Sequence, residues 1–188
     1  MIKIILIIMA VFILYCMIET ARELRDFRLT KYRICSPKLN GIRTKKIIFL
    51  SDLHNRMYGK ENERLLESIK NQHPDLILIG GDMLVRKDGN SYDRTVRFLE
   101  KLPAICPVYC ANGNHEQKLK ELPDKYEQSY EEYKKALTAS GIHMLENASE
   151  TVKLDEVPVK LSGLEIPLGA YARTFVKRNH RPYRRTRG

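Results

Sequence analysis

Five polar side chains stand out by type and spacing: Asp52 and His54 after the apolar run IIFL, Asp82 after DLILIGG, and Asn114 and His115 after VYCANG. In extended chain, residues i and i+2 point to the same side, so Asp52 and His54 can hold one metal ion through a carboxylate oxygen and an imidazole nitrogen. Leu53 faces the other way. Asp82 has two oxygens and can bridge two ions, while Gly80 and Gly81 remove side chains beside it and let the backbone turn close to the site. Asn114 offers an amide oxygen, a hard donor suited to manganese, iron or zinc in an oxygen and nitrogen site. His115 is left free to act on a substrate. No Ser-His-Asp or Cys-His nucleophile set competes with this chemistry.

These residues need elements that bring them to one place. IIFL (47–50) reads as a strand, KENERLLESIKN (60–71) as a helix with Leu65, Leu66 and Ile69 on one face, and DLILIGGD as a second continuous apolar strand. YDRTVRFLEKL (92–102) carries Val96 and Leu99 at helical spacing, and Pro107 leads into VYCA, a third strand. From Pro123 onward, Tyr126, Tyr130, Tyr133 and Leu137 form a helical stripe that Gly141 can end. IHML (142–145), TVKL (151–154) and VPVKLSGL (157–164) read as further strands. Short apolar strands alternating with amphipathic helices predict an α/β fold, a largely parallel sheet with helices covering its faces. Ligands of such sheets gather beyond the carboxyl ends of the strands, where the three polar blocks fall.

Each block is commonplace alone, and their order is what carries information. SDLH, GGD and GNHE resemble the first three signature blocks of the calcineurin-like metallophosphoesterases. SDLHN, HPDLILIGGD, GNHE, GIHMLEN and SGLEIP, in that order, resemble the membrane-anchored bacterial branch, and the likeness covers about residues 44–168. It implies a four-layer α/β/β/α sandwich, represented here by its N-terminal part, and a two-metal centre at the sheet edge that hydrolyses phosphate esters. By matching position, Asp52 and His54 would bind the first metal, Asp82 would bridge both, Asn114 would bind the second, and His115 would meet the phosphate and assist the leaving group. Asn55 and Arg56 could touch a phosphate or be solvated loop residues. Glu116 is expected to orient its loop, and His73 and His143 to be surface or packing residues. The family's later histidine ligands, two of them in a Gly-His-x-His block, have no counterpart, and His180 stands in NHRPYRR. The chain is therefore expected to be an incomplete phosphoesterase domain that turns over substrate poorly or not at all.

The flanks give the remaining expectations. Ile4 to Ile18 is an unbroken apolar run between Lys3 and a mixed-charge stretch, predicting an uncleaved signal anchor over 1–18, with a cleaved signal or a buried helix as alternatives. Residues 19–45 form a charged linker, 46–168 the phosphoesterase part, and 169–188 a basic, disordered tail. Arg22, Arg25, Arg28, Lys31 and Arg33 favour a cytoplasmic domain, yet such anchors also deliver domains outward, so the side stays open. Of the net charge of +10, the tail from residue 172 supplies seven cations and no acid, so charge alone does not make the domain a nucleic-acid binder. Cys16, Cys35, Cys106 and Cys110 form no framework. A membrane-fixed enzyme would meet lipid or envelope phosphoesters. The alternatives are a nuclease of the same superfamily and a non-catalytic membrane-tethered protein whose basic tail binds anionic lipid or nucleic acid.

Overall fold

A computed structural model describes residues 2–23, 26–39, 43–85, 91–123 and 129–170. Tyr126 of the tyrosine stripe, His180 and the tail from residue 171 lie outside the described residues. In chain order the elements are α1 (Ile2–Glu23), β1 (Ile47–Leu50), α2 (Glu63–Gln72), β2 (Leu76–Ile79), α3 (Asp93–Leu99), β3 (Val108–Cys110), α4 (Asn114–Glu121), α5 (Tyr130–Ala139), β4 (His143–Met144), β5 (Ser149–Leu154) and β6 (Val157–Ser162).

The first four strands pair in parallel in the order β1-β2-β3-β4. Parallel crossovers share one hand, so a sheet whose strands follow chain order receives its crossover helices on one face. That face is the core: Ile77, Ile79, Val108 and Cys110 lie buried with Ile69 of α2, Phe98 and Leu99 of α3, and Tyr133 and Leu137 of α5. Strand and helix alternation predicted helices on the other face too, but among the described residues none covers it. It carries Leu76, Leu78, Tyr109 and Leu145, packed by Val152 and Leu161 of the antiparallel β5-β6 hairpin. Both hairpin strands alternate exposed and half-buried residues, the pattern of a sheet with one face inward. The result is α/β/β, a parallel sheet between a helical layer and the start of a second sheet. At the β1 edge of this second face, Phe49 stays 67% exposed.

Several elements differ from the sequence reading. The helix expected over 60–71 begins at Glu63, because Glu61 and Asn62 take left-handed φ of 51° and 61°. Asn62 is fully buried there, accepting the Tyr58 N–H at 2.7 Å and donating to the Arg56 carbonyl, bonds that a helical Asn62 could not make. α4 was not foreseen: its inward residues are Glu116, Gln117 and Leu119, and two polar residues of three give no apolar stripe. α5 starts at Tyr130, capped by Ser129, whose Oγ accepts the Glu132 N–H at 3.1 Å. Tyr130, Tyr133 and Leu137 are buried, as the stripe predicted.

α1 runs to Glu23, past the expected end of the anchor at residue 18. Its 22 residues reach about 33 Å, enough for a hydrocarbon core of about 30 Å. It is the one described helix long and apolar enough to cross a membrane, and its apolar side chains from Ile4 to Ile18 are exposed. All four cysteines are free thiols, and burial pushes those of Cys106 and Cys110 up, away from reactivity.

Candidate metal centre

β1, β2 and β3 stop at Leu50, Ile79 and Cys110, and the polar blocks follow in the loops beyond. The parallel ladder carries on into those loops: Gly80 N–H donates to the Leu50 carbonyl at 2.8 Å, Asp52 N–H to Gly81 at 3.2 Å, and His54 N–H to Asp82 at 3.0 Å. Asn55 N–H donates to Met83 at 3.0 Å, and Ala111 N–H to Ile79 at 2.9 Å. Asp52, His54, Asn55 and Asp82 all take φ between 50° and 57°. The side chains of Asp52 and His54 therefore meet through a left-handed turn and not through the i, i+2 alternation of extended chain. Leu53 does face inward, into the core.

One potential donor atom from each of Asp52, His54 and Asp82 lies within 4.8 Å of the others. His54 Nε2 is 3.5 Å from Asp52 Oδ1, and Ser51 Oγ donates to Asp52 Oδ2 at 2.5 Å. Asp82 receives the Asn114 amide at 3.0 Å on Oδ2 and the His115 N–H at 2.8 Å on Oδ1. The His54 and His115 rings stand edge to face, 5.0 Å apart. All five expected site residues thus meet at one edge. His54 Nδ1 is buried with no hydrogen-bond partner among the described residues, and Nε2 is the ring nitrogen that faces Asp52. Such a donor set fits a divalent cation, which would satisfy the imidazole and offset the paired negative charge.

Glu116 holds the loops from beneath. It is 1% exposed, and its oxygens accept the N–H groups of Asp82 at 2.8 Å, Met83 at 2.9 Å, Leu84 at 3.4 Å and Gly113 at 3.0 Å. Burial pushes its carboxyl up, and the N–H donors pull the other way by favouring the charged form. Glu116 is thus the orienting residue that the sequence suggested. Changing Glu116→Gln turns an acceptor into a donor facing other donors and is expected to cost about 1–3 kcal/mol, read as a drop in thermal midpoint. An unchanged midpoint would show that the loops do not depend on this carboxylate.

Asn55 is engaged at both ends, donating to the Val85 carbonyl at 3.0 Å and accepting from Thr95 Oγ1 at 2.9 Å, so it is a loop tie. Arg56 is exposed on the same loop. His73 caps the end of α2, and His143 stacks on Tyr109 and pairs with Glu150, both away from the centre as expected. Sequence reasoning missed the support behind Asn114. Asn112 Nδ2 donates to Glu165 Oε1 at 2.7 Å, Lys120 Nζ reaches both Glu165 oxygens at 3.0 Å, and Lys134 pairs with Glu146 at 2.6 Å. Only the placement of Glu146 and Glu165 inside the motifs GIHMLEN and SGLEIP hinted at a role.

The strand ends bring an Asp-x-His, a Gly-Gly-Asp and a Gly-Asn-His-Glu block together at one edge, where Asp52, His54 and Asp82 could hold a metal ion. The chain belongs to the calcineurin-like phosphoesterase family, whose model matches residues 45–173. Among curated proteins it is similar to an uncharacterized metallophosphoesterase, YkoQ, of Bacillus subtilis (strain 168), with 29% identity over 122 residues, 63% of this chain and 42% of the relative. Among solved structures it is similar to phosphopantetheinyl hydrolase (PptH) from Mycobacterium tuberculosis, with 19% identity and a TM-score of 0.46 over 72% of this chain and 51% of that one. The chain spans about half the length, or less, of these two proteins.

Proposed function

We propose that the chain is a membrane-anchored, metal-dependent hydrolase of phosphate esters, of phosphodiesterase or pyrophosphatase type. Residues 1–18, within α1, are its single-pass anchor, residues 19–45 the linker, 46–168 the phosphoesterase part and 169–188 a basic tail. Asp52 and His54 would hold one divalent ion, Asp82 would be shared with a second, and Asn114 would serve that second ion through its amide oxygen. Manganese, iron and zinc all suit such donors. When bound, the ions supply a water-derived nucleophile at neutral pH and neutralise the phosphoryl oxygens. His115 contacts the phosphate and gives a proton from its imidazole to the leaving oxygen, while Glu116 keeps the loops in register. The observation that carries this reading is the meeting of Asp52, His54 and Asp82 within 4.8 Å, with Asn114 and His115 bonded to Asp82.

Turnover by this chain is expected to be slow. Each ion prefers about six donors, four side chains serve two ions among the described residues, and water fills the rest. The full chain in detergent, given manganese and a chromogenic phosphodiester, should show weak turnover that chelation removes. His115→Ala should lower kcat a further ~10²-fold or more with manganese affinity kept, the range for loss of a positioned proton donor. Absence of any manganese-dependent turnover would favour a non-catalytic tethered protein instead.

A further inference from the structure

The junction between anchor and domain is tied to the metal-centre edge. α1 ends at Glu23, and Asp26 is three residues on, a span of at most about 11 Å. There Asp26 Oδ1 accepts from Arg64 Nη2 at 2.8 Å, and the Phe27 ring meets Tyr58 edge to face at 5.1 Å. Tyr58 and Arg64 form one platform. The Arg64 N–H donates to the Tyr58 carbonyl at 3.2 Å, the Arg64 stem lies over Gly59, and the Tyr58 ring packs on the core. This platform continues the loop that holds Asp52, His54 and Arg56, beyond the carboxyl end of β1.

The same segment enters the sheet at the opposite edge. Lys45 Nζ pairs with Asp155 at 2.7 Å and with Asp75 at 3.4 Å, and Asp75 immediately precedes β2. Asp26 and Lys45, near the two ends of this stretch, therefore lie at opposite edges of the domain, although a direct linker would have left α1 beside the amino edge of β1. Near α1 this stretch exposes Arg28, Lys31 and Arg33 interleaved with Leu29, Tyr32 and Ile34. Cations for anionic headgroups and rings for the membrane-water boundary suit a segment lying at a bilayer surface.

We propose that Asp26 and Phe27 strap the anchor to the site edge, so that the metal centre opens at the bilayer surface and takes phosphate esters borne by amphiphiles in that membrane. This rests on the membrane-anchored phosphoesterase reading above and names its substrate class, a lipid headgroup ester in preference to a free phosphate ester.

The sequence contains no tryptophan, so an introduced one reports position cleanly. The full chain carrying Arg56→Trp at the site edge, or Asn71→Trp at the amino edge, is placed in phosphatidylcholine and phosphatidylglycerol vesicles containing headgroup-dansylated lipid. Energy transfer from position 56 should be several times stronger than from position 71, and the Asp26→Ala, Phe27→Ala double variant should erase the difference. Equal transfer, or stronger transfer from position 71, overturns the strap. In parallel, the chain with its own Arg56 and Asn71 meets a phosphodiester amphiphile in the vesicles and its short-chain soluble analogue, both with manganese. The amphiphile should turn over about tenfold faster or more, because the anchor raises its effective concentration at the site. The double variant should lose that preference and keep its turnover of the soluble analogue. Equal turnover of the two esters sinks the substrate class alone. No manganese-dependent turnover of either sinks the phosphoesterase reading and the substrate class with it, and the energy-transfer result then judges the strap by itself.

Discussion

Asp82→Asn is expected to weaken manganese binding at least about 100-fold, since even outer partners of metal ligands cost about 10–100-fold when removed. Asp82 stands between the two halves of the centre: one oxygen takes the His115 N–H at 2.8 Å, the other the Asn114 amide at 3.0 Å, and Asp52 and His54 lie within reach. Asparagine keeps the shape and one acceptor oxygen, so the His115 bond survives. It removes the negative charge and the second anionic oxygen, the two properties that a bridging ligand must have. The measurement is titration of manganese followed by the paramagnetic signal of the free ion, with circular dichroism to confirm an intact fold. Weak hydrolysis of a chromogenic phosphodiester should disappear in the same variant. Manganese affinity equal to that of the parent chain would remove Asp82 from the centre and with it the two-ion proposal.

Gly81→Ala is expected to be strongly destabilising. Gly81 has φ +88°, a conformation that costs an L-residue strain, and a Cβ there would lie 2.0 Å from the Gly113 nitrogen and 2.5 Å from its Cα. The neighbour is backbone, already fixed by its N–H donation to Glu116, and cannot step aside. Gly113 has the reciprocal constraint, since its Cβ would come within 2.4 Å of the Asp82 nitrogen and Oδ1. The expected loss for Gly81→Ala exceeds about 4 kcal/mol, the range in which single substitutions become exceptional. Gly80→Ala is the control. Its Cβ would meet the tip of the Phe49 ring at 2.5 Å, but that ring is largely exposed and can swing at a cost of about 0.5–1.5 kcal/mol. Urea unfolding of the three chains in detergent orders them, and a Gly81→Ala chain as stable as Gly80→Ala would mean that the two loops are not interlocked.

Local signals carried much of this protein in its sequence alone. IIFL, LILI and VYC are apolar runs bounded by turn residues, so the strands were legible; LILI and VYC owe the pattern to burial on both faces, whereas Ile47 and Phe49 of edge strand β1 stay exposed. The five candidate residues could be picked out too, because side chains able to bind metal are few in kind and here each follows a strand. What brings them together was not. Asp52 and His54 converge through left-handed turns held by cross-loop hydrogen bonds to Gly81 and Asp82, a geometry that the i, i+2 argument did not contain. α4 stayed hidden because its inward residues are mainly polar: Glu116 and Gln117 are buried for the hydrogen bonds they make, and periodicity registers only apolar faces. The hairpin on the second face, and the Glu165 bond to Asn112 across 53 residues, likewise needed the folded chain. Spacing along a chain reports contacts within a few residues, whereas partners far apart in sequence are chosen by how layers pack, and only the tertiary structure decides that.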